Sequence, residues 1–383
     1  MTNKSLLTLL FLFSTVLLSA QDDNTSNSAG QQGNYIPTAV PFLTIAPDSR
    51  SGAMGNAGVA TTPDVNSQHW NSSKYALGNE TAGASMSYTP WLKQLVDDIN
   101  LYYVSGFYRL DKVQTISASL RYFSMGSLDF SDEQGNYTGS ANPNEFAFDV
   151  AYSRLLGKSF AGGVALRYIR SDLYSGTGEE SVHPGNAFAA DVNFSYLSKI
   201  KVGGLKSVVS AGVNFSNIGS KISYDDVEKE FLPANMRLGG SYLVNVDEFN
   251  SISLALDFNK LMVPTPDTSK TNSNPDYYNE MSVPKSIFSS FADAPGGLKE
   301  ELQEITVSIG AEYWYNKVFA ARAGYFHENE YKGNRKYFTA GAGLKFNMFQ
   351  IDASYIIPVE QNNPLANTIR FTLAFDLSQY NKK

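Results

Sequence analysis

The chain has 383 residues, a formal net charge of −7, 13% aromatic residues and no cysteine. The missing cysteines exclude a disulfide framework and thiolate metal sites, and an acidic balance with no basic cluster argues against nucleic acid as a partner. The mean hydropathy is mildly negative, which excludes a bundle of membrane helices but not a membrane barrel, whose lipid-facing and lumen-facing residues alternate and cancel.

At the start, Met1-Thr2-Asn3-Lys4 is short and basic, and Ser5 to Leu18 is an apolar run too short to span a bilayer comfortably. Leu18-Ser19-Ala20 then offers the small residues that signal peptidase reads, so residues 1–20 are expected to be a signal peptide cleaved near Ala20. Residues 21–34 are rich in Ser, Asn, Gln and Gly and read as a flexible leader. Residues 35–83 differ: Pro37, Pro41 and Pro47 punctuate them, and Gly52, Gly55 and Gly58 stand among Ala and Ser. Small residues at that density let backbone approach closely, as in a plug or hatch. They are not a phosphate-cradling loop, because no strand precedes them and no Gly-Lys-Ser/Thr follows.

After Gly83 the period is two. Phe146, Phe148, Val150 and Tyr152 alternate with Ala147, Asp149, Ala151 and Ser153, and the same rhythm runs through Phe188–Tyr196, Ile252–Phe258 and Ile369–Leu377. Such alternation marks strands with one apolar and one polar face. About fourteen are expected, near 84–90, 100–110, 113–123, 144–155, 159–171, 186–198 and 206–216, then 234–245, 251–261, 304–315, 318–327, 336–346, 349–357 and 367–377. Their length, about ten residues, suits a tilted membrane strand. Tight turns at Asp111-Lys112, Gly157-Lys158, Asn316-Lys317 and Asn347-Met348 alternate with long connections at 124–143, 172–185, 217–233 and 262–303. A membrane barrel needs that alternation, with short turns on one rim and long loops on the other. The expected fold is therefore all-β: a 14-stranded antiparallel transmembrane β-barrel over 84–377, an N-terminal plug-like segment over 35–83, and a tail over 378–383. Trp91, Trp314, Tyr315, Phe346 and Phe349 fall at strand ends, where aromatic rings suit the membrane interface.

Groups able to carry chemistry are few. His69, His183 and His327 lack a second ligand at metal-like spacing, and a hydrolase would need His183 and His327 to meet a nucleophile at one rim. No enzyme and no cofactor is expected. Arg109, Arg121, Arg237, Arg322 and Arg370 share the polar face with Asp149, Asp191, Asp257, Glu312 and Asp352. Such lumen charges either pair across the interior or line a water path. The longest loop turns amphipathic, with Pro284 placed to open a helix, Ile287, Phe288, Phe291 and Leu298 as its apolar residues, and Pro295-Gly296-Gly297 separating a second helix. It is either a lid over the barrel mouth or a partner-binding element.

The run Thr38-Ala39-Val40-Pro41-Phe42-Leu43-Thr44-Ile45-Ala46-Pro47-Asp48-Ser49-Arg50, followed by Gly52 to Ala60 and Asn66-Ser67-Gln68-His69-Trp70-Asn71, resembles the N-terminal segment of the PorV (LptO) family. More distantly the layout is similar to FadL-type transporters. The first resemblance implies an outer-membrane barrel of the type IX secretion system of Bacteroidetes. Such a protein works with a very large translocon barrel, receives secreted cargo proteins through their C-terminal signal domain, and carries them to the attachment machinery. It would be a shuttle surrounded by outer-membrane lipid, since a fourteen-stranded barrel is too narrow to pass a folded domain. The second implies an outer-membrane transporter of hydrophobic small molecules with the 35–83 segment as hatch.

Overall fold

A computed structural model describes residues 34–377 except 94, 95, 97, 132, 133, 135, 174–182, 226, 275, 361 and 362. The expected signal peptide, all of the leader but Asn34, and the tail 378–383 lie outside the described residues.

The strands run in chain order as β1 (Ala82–Pro90), β2 (Asn100–Arg109), β3 (Gln114–Ser124), β4 (Leu128–Ser131), β5 (Tyr137–Ala141), β6 (Asn144–Leu155), β7 (Phe160–Asp172) and β8 (Gly185–Val202). They continue as β9 (Leu205–Gly219), β10 (Asn235–Asn245), β11 (Asn250–Leu261), β12 (Thr306–Tyr315), β13 (Phe319–His327), β14 (Lys336–Phe346), β15 (Phe349–Pro358) and β16 (Ile369–Asp376). Fourteen of them form one closed antiparallel barrel, each paired to its sequence neighbour once β4 and β5 are set aside. β1 closes the cylinder on β16, from Gly83 opposite Asp376 to Tyr88 opposite Phe371. Closure leaves no strand edge unpaired, the condition for placing backbone amides in hydrocarbon. β4 and β5 pair only with each other inside the long β3–β6 connection, a hairpin that the period-two pattern did not single out.

The faces follow the sequence rhythm. On β6, Ala147, Asp149, Ala151 and Ser153 are buried while Phe148, Val150 and Tyr152 are exposed. Val104, Leu120, Val164, Leu254 and Leu373 on other strands are likewise exposed. Apolar residues outside and small or polar residues inside are the reverse of a water-soluble barrel and match one wetted by lipid. Tight turns sit at one rim. Asn316 and Lys317 have φ of 51° and 55°, Asn347 has 51°, and Gly203 and Gly204 have 59° and 86°. The left-handed region required by a two-residue hairpin is tolerated by Asn and open to Gly. By the asymmetry of outer-membrane barrels this rim is periplasmic and the long loops are extracellular.

Two of the rim aromatics turn inward. Trp91 packs beneath the outer rim with Leu101 and Phe123 on one side and Phe326 and Ile356 on the other. Trp314 lies in the lumen with the Arg322 guanidinium 5.4 Å from its ring. Parity decides this: Trp314 shares the inner face with Glu312, whereas its neighbour Tyr315, like Phe346 and Phe349, is exposed on the outside.

Candidate functional site

The segment between Asn34 and β1 fills the lumen. It forms a 3-10 turn (Pro41–Thr44) and three one-turn helices, α1 (Ser49–Gly52), α2 (Ser67–Trp70) and α3 (Lys74–Leu77). Helices this short do not stand alone, so wall contacts and side-chain caps must hold them. Asp48 caps α1, accepting from the Ser51 amide at 2.9 Å and from Trp70 Nε1 at 2.6 Å, which ties α1 to α2.

The wall charges meet this plug. Arg50 donates to both Glu312 oxygens at 2.9 and 2.7 Å and to Asp64 at 2.9 Å. Glu312 also accepts from Arg322 at 2.7 Å, and Arg322 reaches Asp352 at 2.6 Å. Asp257 accepts the amides of Gly58 and Val59 at 2.7 and 2.9 Å. Arg109 donates to the carbonyls of Tyr75 in α3 and of Gly78 and Glu80 after it, supplying donors at a helix end where carbonyls lack intrahelical partners. Arg121 donates to Leu43 O at 2.6 Å and meets His69 Nδ1 at 2.5 Å. Arg237 lies 4.7 Å from the Trp70 ring, and Arg370 packs over Gly52 of α1. Asp149 and Asp191 share Arg167, at 2.5 and 2.9 Å, and Arg167 also donates to Asn217, which sits at the β8–β9 bulge. Most of the expected lumen charges therefore bond or pack against the plug, while Arg322 and Asp352, and Asp149 and Asp191 with Arg167, pair along the wall.

Glycine makes the fit. A Cβ on wall residues Gly212, Gly310, Gly324 or Gly341 would come within 2.1–2.5 Å of Val59, Met54, Gly55 or Ala53 of the plug. On the plug side, Gly55 has φ +64° and a Cβ there would stand 2.5 Å from the Tyr325 carbonyl oxygen. Sequence reading found the plug glycines but missed their wall partners. It also missed Arg50, Arg167 and Lys74, whose Nζ donates to Gly58 O at 2.7 Å and to Thr61 Oγ1 at 3.0 Å within the plug. Arg167 was within reach, since it lies on the inward parity of β7; Arg50 was not, because the plug has no period from which a partner follows.

At the extracellular end, residues 262–305 carry α4 (Thr268–Ser273), α5 (Tyr277–Glu280), α6 (Val283–Ser289) and α7 (Leu298–Gln303). Pro284 sits in the first turn of α6, where a missing N–H costs nothing. Ile287 packs against a cluster of Ala234, Met262 and Val263, which Ile36 and Phe231 also join. Met281 and Ala294 are also buried, but Phe288 is 81% exposed, Leu298 76% and Leu302 60%, and Phe291 is partly exposed with its ring 5.9 Å from Lys260 Nζ. The faces toward the barrel carry polar groups, Ser286 of α6 and Ser290 just after it, Glu301 of α7 and Glu304 just after it, all buried. The usual amphipathic order is inverted. Lys260 of β11 meets Glu301 at 3.0 Å and also Glu304. Lys332, in the β13–β14 loop, meets Glu300 at 2.6 Å and Glu304 at 3.0 Å. Asn34 Nδ2 donates to Glu300 at 3.0 Å and to Pro266 O at 3.1 Å. On the other flank Lys221 Nζ donates to the carbonyls of Tyr278 and Asn279 at 2.6 and 2.8 Å. Burial acts to raise the Glu300 pKa, but hydrogen bonds from Lys332, the Gly296 amide and Asn34 hold it below the ordinary value. Burial pushes the nearby Asp293 carboxyl up.

A cleft of about 320 Å³ opens at the periplasmic end between the plug and the wall from β10 round to β2, with Tyr75, Phe107, Trp314, Asp64, Lys317 and Lys345 among its walls. The His183 amide in the β7–β8 loop donates to the Tyr224 carbonyl in the β9–β10 loop, while His327 lies against Tyr325 of β13. Among the described residues no three His, Cys, Asp or Glu side chains converge as metal ligands would.

Residues 27–268 match the family model described as type IX secretion system protein PorV. No curated protein matches the chain. Among solved structures, the toluene transporter TodX of Pseudomonas putida aligns at a TM-score of 0.50 and 10% identity, covering 90% of this chain and 98% of that one. A second TodX structure gives 0.51 and 10%, covering 86% and 97%. A FadL homologue of Pseudomonas aeruginosa gives 0.44 and 11%, covering 90% and 99%. At 10% identity the two TodX structures speak for a shared fold alone.

Proposed function

Because the chain belongs to the PorV family and so is an outer-membrane component of the type IX secretion system, we propose that its extracellular lid is where protein partners dock. The observation that carries this reading is the inverted lid. Phe288, Phe291, Leu298 and Leu302 are displayed to water while serines and glutamates face the barrel. Leaving large apolar side chains exposed and burying carboxylates costs free energy on both counts. A covered outer face removes the first cost. The partners are the large translocon barrel, secreted cargo presenting its C-terminal signal domain, and the attachment proteins that accept cargo afterwards. The barrel acts as a shuttle, because plug, side-chain network and lid occupy the lumen.

The test is a Phe288→Asp, Leu298→Asp double variant, whose side chains are solvent-exposed and lie outside the barrel wall. The variant should insert and stay heat-modifiable on gels, yet lose co-purification of the translocon barrel and of cargo from solubilised membranes. Normal co-purification and secretion would refute the reading. The alternative, a transporter of hydrophobic small molecules, draws support from the periplasmic cleft, whose wall includes Phe107, Leu243, Trp314 and Met348. It predicts loss of hydrocarbon uptake on deletion of the protein, with secretion intact.

A further inference from the structure

The contact between the lid and the barrel joins an apolar cluster around Met262, Val263 and Ile287 to a buried ionic one. The helix α7 and the residue after it turn three carboxylates, Glu300, Glu301 and Glu304, toward two ammonium groups that belong to other parts of the chain, Lys260 and Lys332. All but Glu300 are nearly buried. The second ammonium sits in a different extracellular loop from the lid, and Glu300 is shared with Asn34, at the entry of the segment that threads down the lumen as the plug. Asn34 is also fixed by its amide to Tyr331 O, at 2.9 Å and one residue from Lys332. Three separate segments therefore meet at one carboxylate: the lid, the β13–β14 loop and the N-terminal strap.

Charge and apolar contacts release differently. Separating an apolar contact exposes surface to water with nothing returned, whereas ions leaving a buried pair regain their hydration. A lid latched by buried ions thus closes in one defined position but lifts as a unit once one partner of the cluster is lost. Removing one partner also leaves the others buried and unpaired, so the cluster fails cooperatively.

We propose that residues 262–305 form a latched lid, held shut by the Lys260–Lys332–Glu300–Glu301–Glu304 cluster and by the strap at Asn34, so that partners meet a surface whose position the latch controls. This rests on the docking reading above but is measured without any partner. In the purified full-length barrel, proteinase K should nick residues 262–303 slowly. Lys332→Met should speed nicking at least tenfold while gel heat-modifiability still reports a folded barrel. Glu300→Gln, at a partly exposed position that does not threaten insertion, should speed it by a smaller factor, about threefold. Lys332→Arg, which keeps the positive charge opposite Glu300 and Glu304, should leave the rate close to that of the unaltered protein. Nicking unchanged in both Lys332→Met and Glu300→Gln would overturn the latch. Accelerated nicking together with undiminished co-purification by the Phe288→Asp, Leu298→Asp variant would leave the latch standing and remove the docking reading instead.

Discussion

Glu312→Gln tests how the plug is anchored. Glu312 lies on β12, 2% exposed, and accepts from Arg50 of the plug at 2.7 and 2.9 Å and from Arg322 of the wall at 2.7 Å. Deleting its charge leaves two guanidinium groups facing a neutral amide that accepts through one oxygen. Removing one partner of a buried, hydrogen-bonded ion pair costs about 3–5 kcal/mol. Because Arg322 keeps Asp352 at 2.6 Å and the amide keeps one acceptor, the lower end, about 3 kcal/mol, is the expected loss of plug docking. At 1.4 kcal/mol per tenfold, that raises the population of locally opened plug about a hundredfold. Native-state hydrogen exchange reads such openings directly. The Gly58 and Val59 amides are good reporters, since both donate to Asp257 on β11, the strand beside β12, and not to Glu312 itself. Their protection should fall by about two orders of magnitude while β6, β7 and β8 keep theirs. Exchange over residues 50–62 within threefold of the unaltered protein, in a folded barrel, would refute the claim that this carboxylate anchors the plug.

Three further outcomes follow from the same contacts. In Gly212→Val the new Cβ would stand 2.3 Å from Val59 O, an overpacking of about 1–3 kcal/mol, so single-channel conductance should rise as the plug shifts; an unchanged trace counts against the close fit. Arg109→Ala strips donors from the carbonyls of Tyr75, Gly78 and Glu80 at about 1–3 kcal/mol, and should accelerate exchange around α3 before any other part of the plug. Glu300 has a depressed pKa, so its contribution to lid closure is present at neutral pH and disappears as pH falls through and below the glutamate range near about 4.3. Lid nicking by an acid-active protease should quicken there, and the part of the pH step that Glu300→Gln abolishes measures the Glu300 share.

The sequence by itself determined the wall. A strand's side-chain period is two whatever surrounds it, so Phe148, Val150 and Tyr152 had to share a face opposite Asp149 and Ala151, and the alternation of tight turns such as Asn316-Lys317 with long loops left a closed cylinder as the fold. It also determined the character of residues 35–83, because Gly52, Gly55 and Gly58 cannot build a core of their own and had to pack against something else. Only the tertiary structure decided what that something was. Arg50 and Glu312 are 262 positions apart and Gly58 and Asp257 are 199, and pairings at such range leave no local pattern to read. The same is true of the lid: helices at α6 and α7 were legible from Pro284 and Pro295-Gly296-Gly297, but which of their faces turns outward was not. That depended on Lys260 and Lys332, contributed by a strand and by another loop, which drew the glutamates inward and left Phe288 and Leu298 facing water.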